Sequence, residues 1–403
     1  MLTARDLGNL AKSCSKLRSA VEPSLLHVIE GREWLACNVR SWSKIRKQHV
    51  RSLYLTVIND FRLLIGDFYI FHLNILLFPN LTHLTFGLYF NQPLATAELP
   101  ANLTHLHFGR HFNQTLQACV LPSTLTDLQF GYEFNQLLAP GVLPDSLTDL
   151  KFGCQFNQPL AAGVLPDNLT DLQLGGLFNN QTLQSPANLK HLDFGFSFNQ
   201  PLAAGMLGAG LTSLTFSVCF DQLLTKDVLP AGLTSLIFGS AFNQHLTPGV
   251  LPACLTNLSF GARFNKPLTE GMLPAGLTRL IFGRLFNQPL TPGVLPACLT
   301  HLSFARYFNQ PLTAPGVLPA CLTYLEFGRY FNQPLTAGVL PAGLISLQVS
   351  HRFNQPMAAC VLPENLKLLE FVGEDGRCII AKSLPVVDGV CWIRSPLYLF
   401  RAP

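Results

Sequence analysis

The chain has 403 residues, of which 48% are hydrophobic and only 12% charged, so it can bury a large core. Its net charge of +4 is unevenly placed: residues 1–62 hold eleven Lys and Arg against five Asp and Glu, the remainder sixteen against eighteen. So nearly neutral a body excludes general binding along a phosphate backbone, which sets nucleic acid aside as a partner.

In chain order, residues 1–48 read as a helical head. Leu7, Leu10, Ala11 and Leu17 share one helical face, with Arg5, Lys12, Lys16 and Arg18 around it. A second amphipathic segment follows Glu22-Pro23-Ser24 and uses Leu25, Leu26, Val28 and Ile29, with Pro23 at a helix start. The order Asp6-Leu7, Leu10-Ala11, Cys14, Lys16-Leu17-Arg18, Pro23-Ser24-Leu25 resembles the later part of an F-box. The Leu-Pro-x-Glu-x-Leu helix that opens that motif has no counterpart in the stretch. The resemblance implies contact with a Skp1-type adaptor through Leu7, Leu10, Leu17 and Leu25. The alternative is a plain cap over the first coil of a stacked array. Residues 49–80 follow as an irregular first coil, in which Leu53 and Leu55 stand where a strand would point them inward and Phe78-Pro79-Asn80 closes the coil.

From Leu81 to Asn365 the chain repeats. Thirteen copies of a unit of 22 residues begin at Leu81, Leu103, Leu125, Leu147, Leu169, Leu189, Leu211, Leu233, Leu255, Leu277, Leu299, Leu322 and Leu344. The copy at Leu169 is shorter by two, and the copy at Leu299 longer by one. In the copy LTRLIFGRLFNQPLTPGVLPAC, positions 1, 4 and 6 are apolar (Leu277, Leu280, Phe282), and their alternation predicts a short strand over positions 3 to 7. Position 7 is Gly, Ser or Ala, where the chain turns. Position 10 is Phe in all thirteen copies and position 11 Asn in all but one, where Asp221 stands. The Phe should stack into a buried ladder, and the Asn amide should satisfy turn backbone. Pro289 and Pro296 exclude a full return helix, leaving an extended, turn-rich arm.

A lone unit cannot bury enough apolar surface, so the copies must stack as a repeat solenoid with a parallel β-sheet. The LxxLxF strand resembles a leucine-rich repeat, and the Phe-Asn-Gln-Pro-Leu run resembles the FNIP repeats of amoebae and the large viruses that infect them. Gln in place of the family's Ile reads as variation on the outer surface. Residues 366–403 hold a partial repeat and a C-terminal cap, to which Val386, Val387, Val390, Trp392 and Leu397 lend bulk.

Two groups of outward positions could carry recognition of a protein. At position 3, Asp127, Asp149 and Asp171 form an acidic stripe with Glu133 nearby, which Lys151, a cation or a basic ligand should offset. At positions 8 and 9, Arg263, Arg284, Arg306, Tyr307, Arg329, Tyr330 and Arg352 supply the residue types that anchor interfaces. His83, His105, His107 and His111 gather on two adjacent copies without a Cys or carboxylate, a surface cluster rather than a metal site. No Ser-His-Asp set, HExxH, P-loop or GxGxxG occurs, so no enzyme activity and no cofactor are expected.

Eleven cysteines without a C-x-x-C pair point to a reducing compartment. The apolar run Phe68–Phe78 is too short to cross a bilayer, and Met1–Ala20 has no secretory apolar core. The expectation is a cytoplasmic interaction solenoid. Through its F-box-like head it would be the substrate-recognition subunit of a ubiquitin ligase; the other readings are a scaffold without that role and, further off, a His-cluster metal protein.

Overall fold

The structure, a computed structural model, describes residues 80–372 except 313, 351 and 356–360, together with the strands at 52–55, 378–381, 386–387 and 390–391. The expected helices of the head, and with them Leu7, Leu10, Leu17 and Leu25, lie outside the described residues. Among the described residues there is no α-helix. The chain divides into two compact units, Met1–Leu169 and Thr170–Pro403.

Both units are built from one kind of coil. In the first, strands β1 (Ser52–Leu55), β2 (His83–Phe86), β3 (His105–His107), β4 (Asp127–Gln129) and β5 (Asp149–Lys151) pair in parallel, each with the next. Leu53 stands opposite Leu84 and Leu55 opposite Phe86, the places of unit positions 4 and 6. The second unit opens with β6 (Asp171–Gln173), β7 (His191–Asp193), β8 (Ser213–Thr215) and β9 (Ser235–Ile237). It continues through β10 (Asn257–Ser259), β11 (Arg279–Ile281), β12 (His301–Ser303), β13 (Tyr324–Glu326), β14 (Ser346–Ser350) and β15 (Leu368–Val372), all parallel.

Most strands are three residues long, positions 3 to 5, and so shorter than the alternation predicts. The reason is local. The position-6 amide still bonds the next coil, as from Phe282 N–H to the Ser303 carbonyl at 2.9 Å, but position 7 already opens a turn closed by Phe286 N–H on the Gly283 carbonyl at 3.1 Å. The return arm is turn-rich as expected. Val294 N–H closes on the Thr291 carbonyl at 3.3 Å around Pro292-Gly293, and Gly293 has φ +87°. Pro followed by a residue of positive φ is the signature of a type II turn. Ala97, Cys119 and Asp227 hold the same place at φ 65°, 65° and 68°.

In most of the described coils, positions 1, 4, 6, 10, 14, 18 and 19 make the core; Leu277, Leu280 and Phe286 are fully buried. Position 10 forms the expected aromatic ladder, with ring centroids 6.1 Å apart from Phe264 to Phe286 and from Phe286 to Phe308. Position 6 forms a second ladder alongside, 5.4 Å from Phe282 to Phe304, and the two rings of one coil lie 3.9 Å apart. Offset stacks of this kind add about 0.5–1.5 kcal/mol per pair beyond the area they bury.

The Asn ladder runs between coils rather than within one turn. Asn287 Oδ1 accepts the Asn309 N–H at 2.9 Å and the Gln310 side-chain amide at 3.1 Å. The Gln of position 12 is therefore part of the lattice, not outer-surface variation. Thr at position 2 adds a fourth ladder: the Thr300 hydroxyl donates to the Thr278 carbonyl at 3.0 Å.

At the C-terminal end, β15 is met by an antiparallel strand, β16 (Cys378–Ala381), which covers its edge. This segment lies within the stretch 366–403 read as partial repeat and cap, ahead of the side chains named for their bulk. Val386–Val387 and Val390–Cys391 form a separate hairpin, β17 and β18, while Trp392 and Leu397 lie outside the described residues.

Since Asn287 is used as an acceptor, Asn287→Asp should leave stability within about 0.5 kcal/mol of the parent, whereas Asn287→Leu orphans two donors and should cost about 1–3 kcal/mol. Urea unfolding of the full chain checks both.

Candidate functional site

The turn that follows each strand decides which side chains are free. Positions 8 and 9 are its two central residues, and their backbone is engaged coil to coil. Tyr307 N–H donates to the Arg284 carbonyl at 3.1 Å, and Tyr330 N–H to the Arg306 carbonyl at 3.0 Å. Side chains at one level therefore stand in register along the turn edge.

In the second unit this register assembles an Arg–Tyr lattice. The rings of Tyr307 and Tyr330 stack at 5.0 Å and 15°. Arg284 and Arg306 each lie 5.7 Å from the Tyr307 centroid; Arg306, Arg329 and Arg352 lie 5.8, 5.9 and 5.4 Å from that of Tyr330. Guanidinium groups at coil spacing repel by about 1 kcal/mol per pair in water, and a cation over an aromatic face returns about 0.5–1 kcal/mol at an exposed site. The rings thus offset the repulsion of the row that carries them. Hydrogen bonding to Arg306, helped by the charges of Arg306, Arg329 and Arg352, holds the Tyr330 phenol below its ordinary value despite some desolvation. Arg263 is exposed on the same edge, with its N–H on the Ser240 carbonyl at 2.9 Å.

The acidic stripe is composed differently. Asp127 and Asp149 stand on neighbouring strands in register, but each carboxylate has a partner of its own. His107 Nε2–H donates to Asp127 Oδ1 at 2.9 Å, and this bond, more than Lys151, holds the Asp127 carboxyl below its ordinary range. The Thr148 hydroxyl reaches Asp149 Oδ2 at 2.8 Å, and in the second unit the Thr170 hydroxyl reaches Asp171 Oδ2 at 2.7 Å. Lys151, one of the offsets expected from the sequence, adds least at Asp127.

The histidines are dispersed among such partners. His83 and His105 stack at 4.0 Å, while His111 Nδ1 lies 2.8 Å from Glu133 Oε1. Carboxylates do therefore join this cluster, contrary to the sequence reading. The Thr104 hydroxyl lies 3.0 Å from the Thr82 carbonyl and 2.8 Å from His105 Nδ1. Among the described residues, no three His, Cys, Asp or Glu side chains are grouped to hold a metal ion. No helix among them is long and apolar enough to cross a membrane.

One feature of the turn edge escaped the sequence reading: Leu177, Phe196 and Val218, at positions 9, 8 and 8 of three consecutive copies, are 51%, 54% and 37% exposed. The signal was present as apolar residues at turn positions, hidden by the many Leu and Phe of the unit.

A stack of short parallel strands, inward Leu and Phe, and a turn-rich return arm defines a β-solenoid of leucine-rich type. The FNIP Repeat family matches residues 76–111, 90–133, 112–155, 156–197, 178–219, 198–241, 242–285, 286–330 and 331–374. The chain belongs to the FNIP-repeat family. It is similar to the solved structure of CroV588, described as a novel circular LRR protein, at 46% identity and a TM-score of 0.68 over 73% of this chain. It spans only 46% of that protein's length. YopM from Yersinia enterocolitica WA-314 matches at 20% identity over 72% of this chain and 68% of its own, with a TM-score of 0.36, too slight a likeness to build on. No curated protein matches.

Two titrations follow from the geometry. Arg306 favours the phenolate of Tyr330, so Arg306→Met should raise that phenol toward its ordinary 10.0, read by ultraviolet difference titration against Tyr330→Phe. Burial, and then the neighbouring His105 and His107, lower His83 from its ordinary 6.5 against an opposing pull from Asp127. The unfolded chain therefore binds the extra proton first, and this contribution to stability is lost as pH falls from 6.5 toward the lower folded value. His83→Asn should reduce the drop in melting temperature between about pH 7 and pH 5.5, which scanning calorimetry would register.

Proposed function

We propose that the protein is a non-catalytic recognition solenoid that holds another protein on the turn edge of its second unit, with Arg284, Arg306, Tyr307, Arg329, Tyr330 and Arg352 as the anchor and Arg263 flanking it. The observation that carries the reading is the lattice itself. Four guanidinium groups are arrayed about two stacked phenol rings along the turn edge. Arg and Tyr are the side chains that interfaces use as anchors, and a rigid row of them loses little conformational entropy on binding. The acidic stripe of Asp127, Asp149 and Asp171 is a weaker candidate, since hydroxyl and imidazole groups already occupy its carboxylates.

The finer role, selection of targets for a ubiquitin ligase, rests on the F-box resemblance of the head and its adaptor-facing Leu7, Leu10, Leu17 and Leu25. Its support is the sequence pattern alone. Cytoplasmic location rests in the same way on the cysteine usage.

In affinity capture from the source organism, the triple variant Arg284→Glu, Arg306→Glu, Arg329→Glu should recover the partner at least roughly tenfold less than the parent chain. Equal recovery would discard the anchor. Failure of the full chain to pull down a Skp1-type adaptor, with Leu10→Lys as control, would discard the ligase role and leave the anchor standing.

A further inference from the structure

The turn edge of the second unit has a direction. It begins apolar with Leu177, Phe196 and Val218, passes through the small residues Ser240, Ala241 and Ala262, and ends in the Arg–Tyr lattice. From Val218 to Arg352, positions 8 and 9 supply five arginines and no carboxylate. On the adjoining strand face the carboxylate of Glu326 accepts the Ser303 hydroxyl at 2.7 Å.

Strand addition is ill suited to this edge, because its position-9 amides and position-8 carbonyls are spent along the stack. Cys219 N–H donates to the Phe196 carbonyl at 3.0 Å, Ala241 N–H to that of Val218 at 2.8 Å, and Leu285 N–H to that of Ala262 at 2.8 Å. A ligand must therefore be held by its side chains. One end of the row offers cations on aromatic faces, the other exposed hydrocarbon.

We infer, building on the recognition reading above, that this edge binds an extended acidic peptide segment carrying a large apolar residue at one end. The apolar side chain lies against Phe196 and Val218, and the carboxylates pair with Arg284, Arg306 and their successors. The spacing sets the length. Six coil steps separate Val218 from Arg352, about 29 Å at roughly 4.8 Å each, which an extended chain covers in about nine residues. The apolar residue and the first carboxylate are three steps apart, or about four residues. Nucleic acid fits less well, since its evenly spaced phosphates have nothing to set against the apolar end and only one row of arginines faces them.

The test is fluorescence anisotropy of the full chain with synthetic probes. One carries Leu, three Ser and five Glu in that order, made in both chain directions; a second scrambles the same residues; a third is a single-stranded oligothymidylate of equal charge. The ordered peptide should bind in one direction, and Arg284→Met with Arg306→Met should weaken it roughly tenfold or more. Phe196→Ser with Val218→Ser should weaken the ordered peptide several-fold and leave the scrambled one unchanged. Binding of the ordered peptide should also fall steeply between about 50 and 500 mM salt, a reading that needs no variant to fold. Equal binding of ordered and scrambled peptides, indifference to salt or to the arginine changes, or tighter binding of the oligonucleotide would overturn the inference. If no peptide binds while partner capture remains sensitive to the same arginines, the acidic segment is wrong and the protein-recognition reading stands.

Discussion

A carbon atom at the Cβ position of Gly283 would lie 1.6 Å from the carbonyl oxygen of Gly261, and at Gly261 the same distance from that of Gly239. Coils are therefore set against one another by backbone on backbone at position 7, with no side chain between them. That spacing is what the ladders depend on: Phe rings meet at 5.4 to 6.2 Å and an Asn oxygen reaches the next coil's amide at 2.8 to 3.0 Å only if every coil keeps the same step. The glycine is there for this close approach rather than for a left-handed backbone. At Gly195, where φ is +70°, the geometry differs, and the following coil carries Ser217, whose hydroxyl donates to the Phe198 carbonyl. Ala305 also fills the position, with its turn hydrogen bond lengthened to 3.4 Å.

Given the spacing, what each ladder tolerates follows from which half of a side chain it uses. Asp221 stands in the Asn ladder because its Oδ1 takes the Asn243 N–H at 2.8 Å and the Gln244 amide at 3.0 Å, as an Asn oxygen would. The short copy at Leu169 buries Ser185 where other copies bury Leu. Its hydroxyl donates to the Met206 carbonyl at 3.3 Å and accepts from Gly208 N–H at 2.6 Å, so the polar atom is not stranded. The type II turn at position 17 follows the same rule for backbone, since Asp227 and Cys119 keep a positive φ without glycine.

What could be read from the chain was what repeats within one unit. Alternation at Leu277, Leu280 and Phe282 gives the strand and its buried face, and the fixed period gives the stack, because both depend on neighbours along the sequence. Contacts between coils were legible only in part. The Gln of position 12 looks like surface in one unit and becomes a donor only when the next coil's Asn is placed beneath it. His107 meeting Asp127 needed the register as well. The Arg and Tyr positions were found because exposure at a turn centre follows from the unit alone; their interleaving as cation and ring did not. The head and the last residues lack the period that made the rest readable.

The lattice that fixes the core also dictates where variation can be placed. Positions 2, 6, 7, 10, 11 and 12 are each bound to the coil before or after, so a change there is felt twice. Positions 8 and 9 tie their backbone into the stack, while their side chains differ from copy to copy and meet their neighbours only where the residue types match, as Tyr307 does Tyr330. A row of like charges in such places is an expense that the fold does not require, at about 1 kcal/mol per neighbouring pair in water. Tyr307 and Tyr330 lower that cost without removing the charge. Neutral residues, as at Ser240 and Ala241, would have served the coil as well. The coil's own packing therefore does not account for the arginines, which is why the row, and not the ladders, is where a partner is proposed to be read.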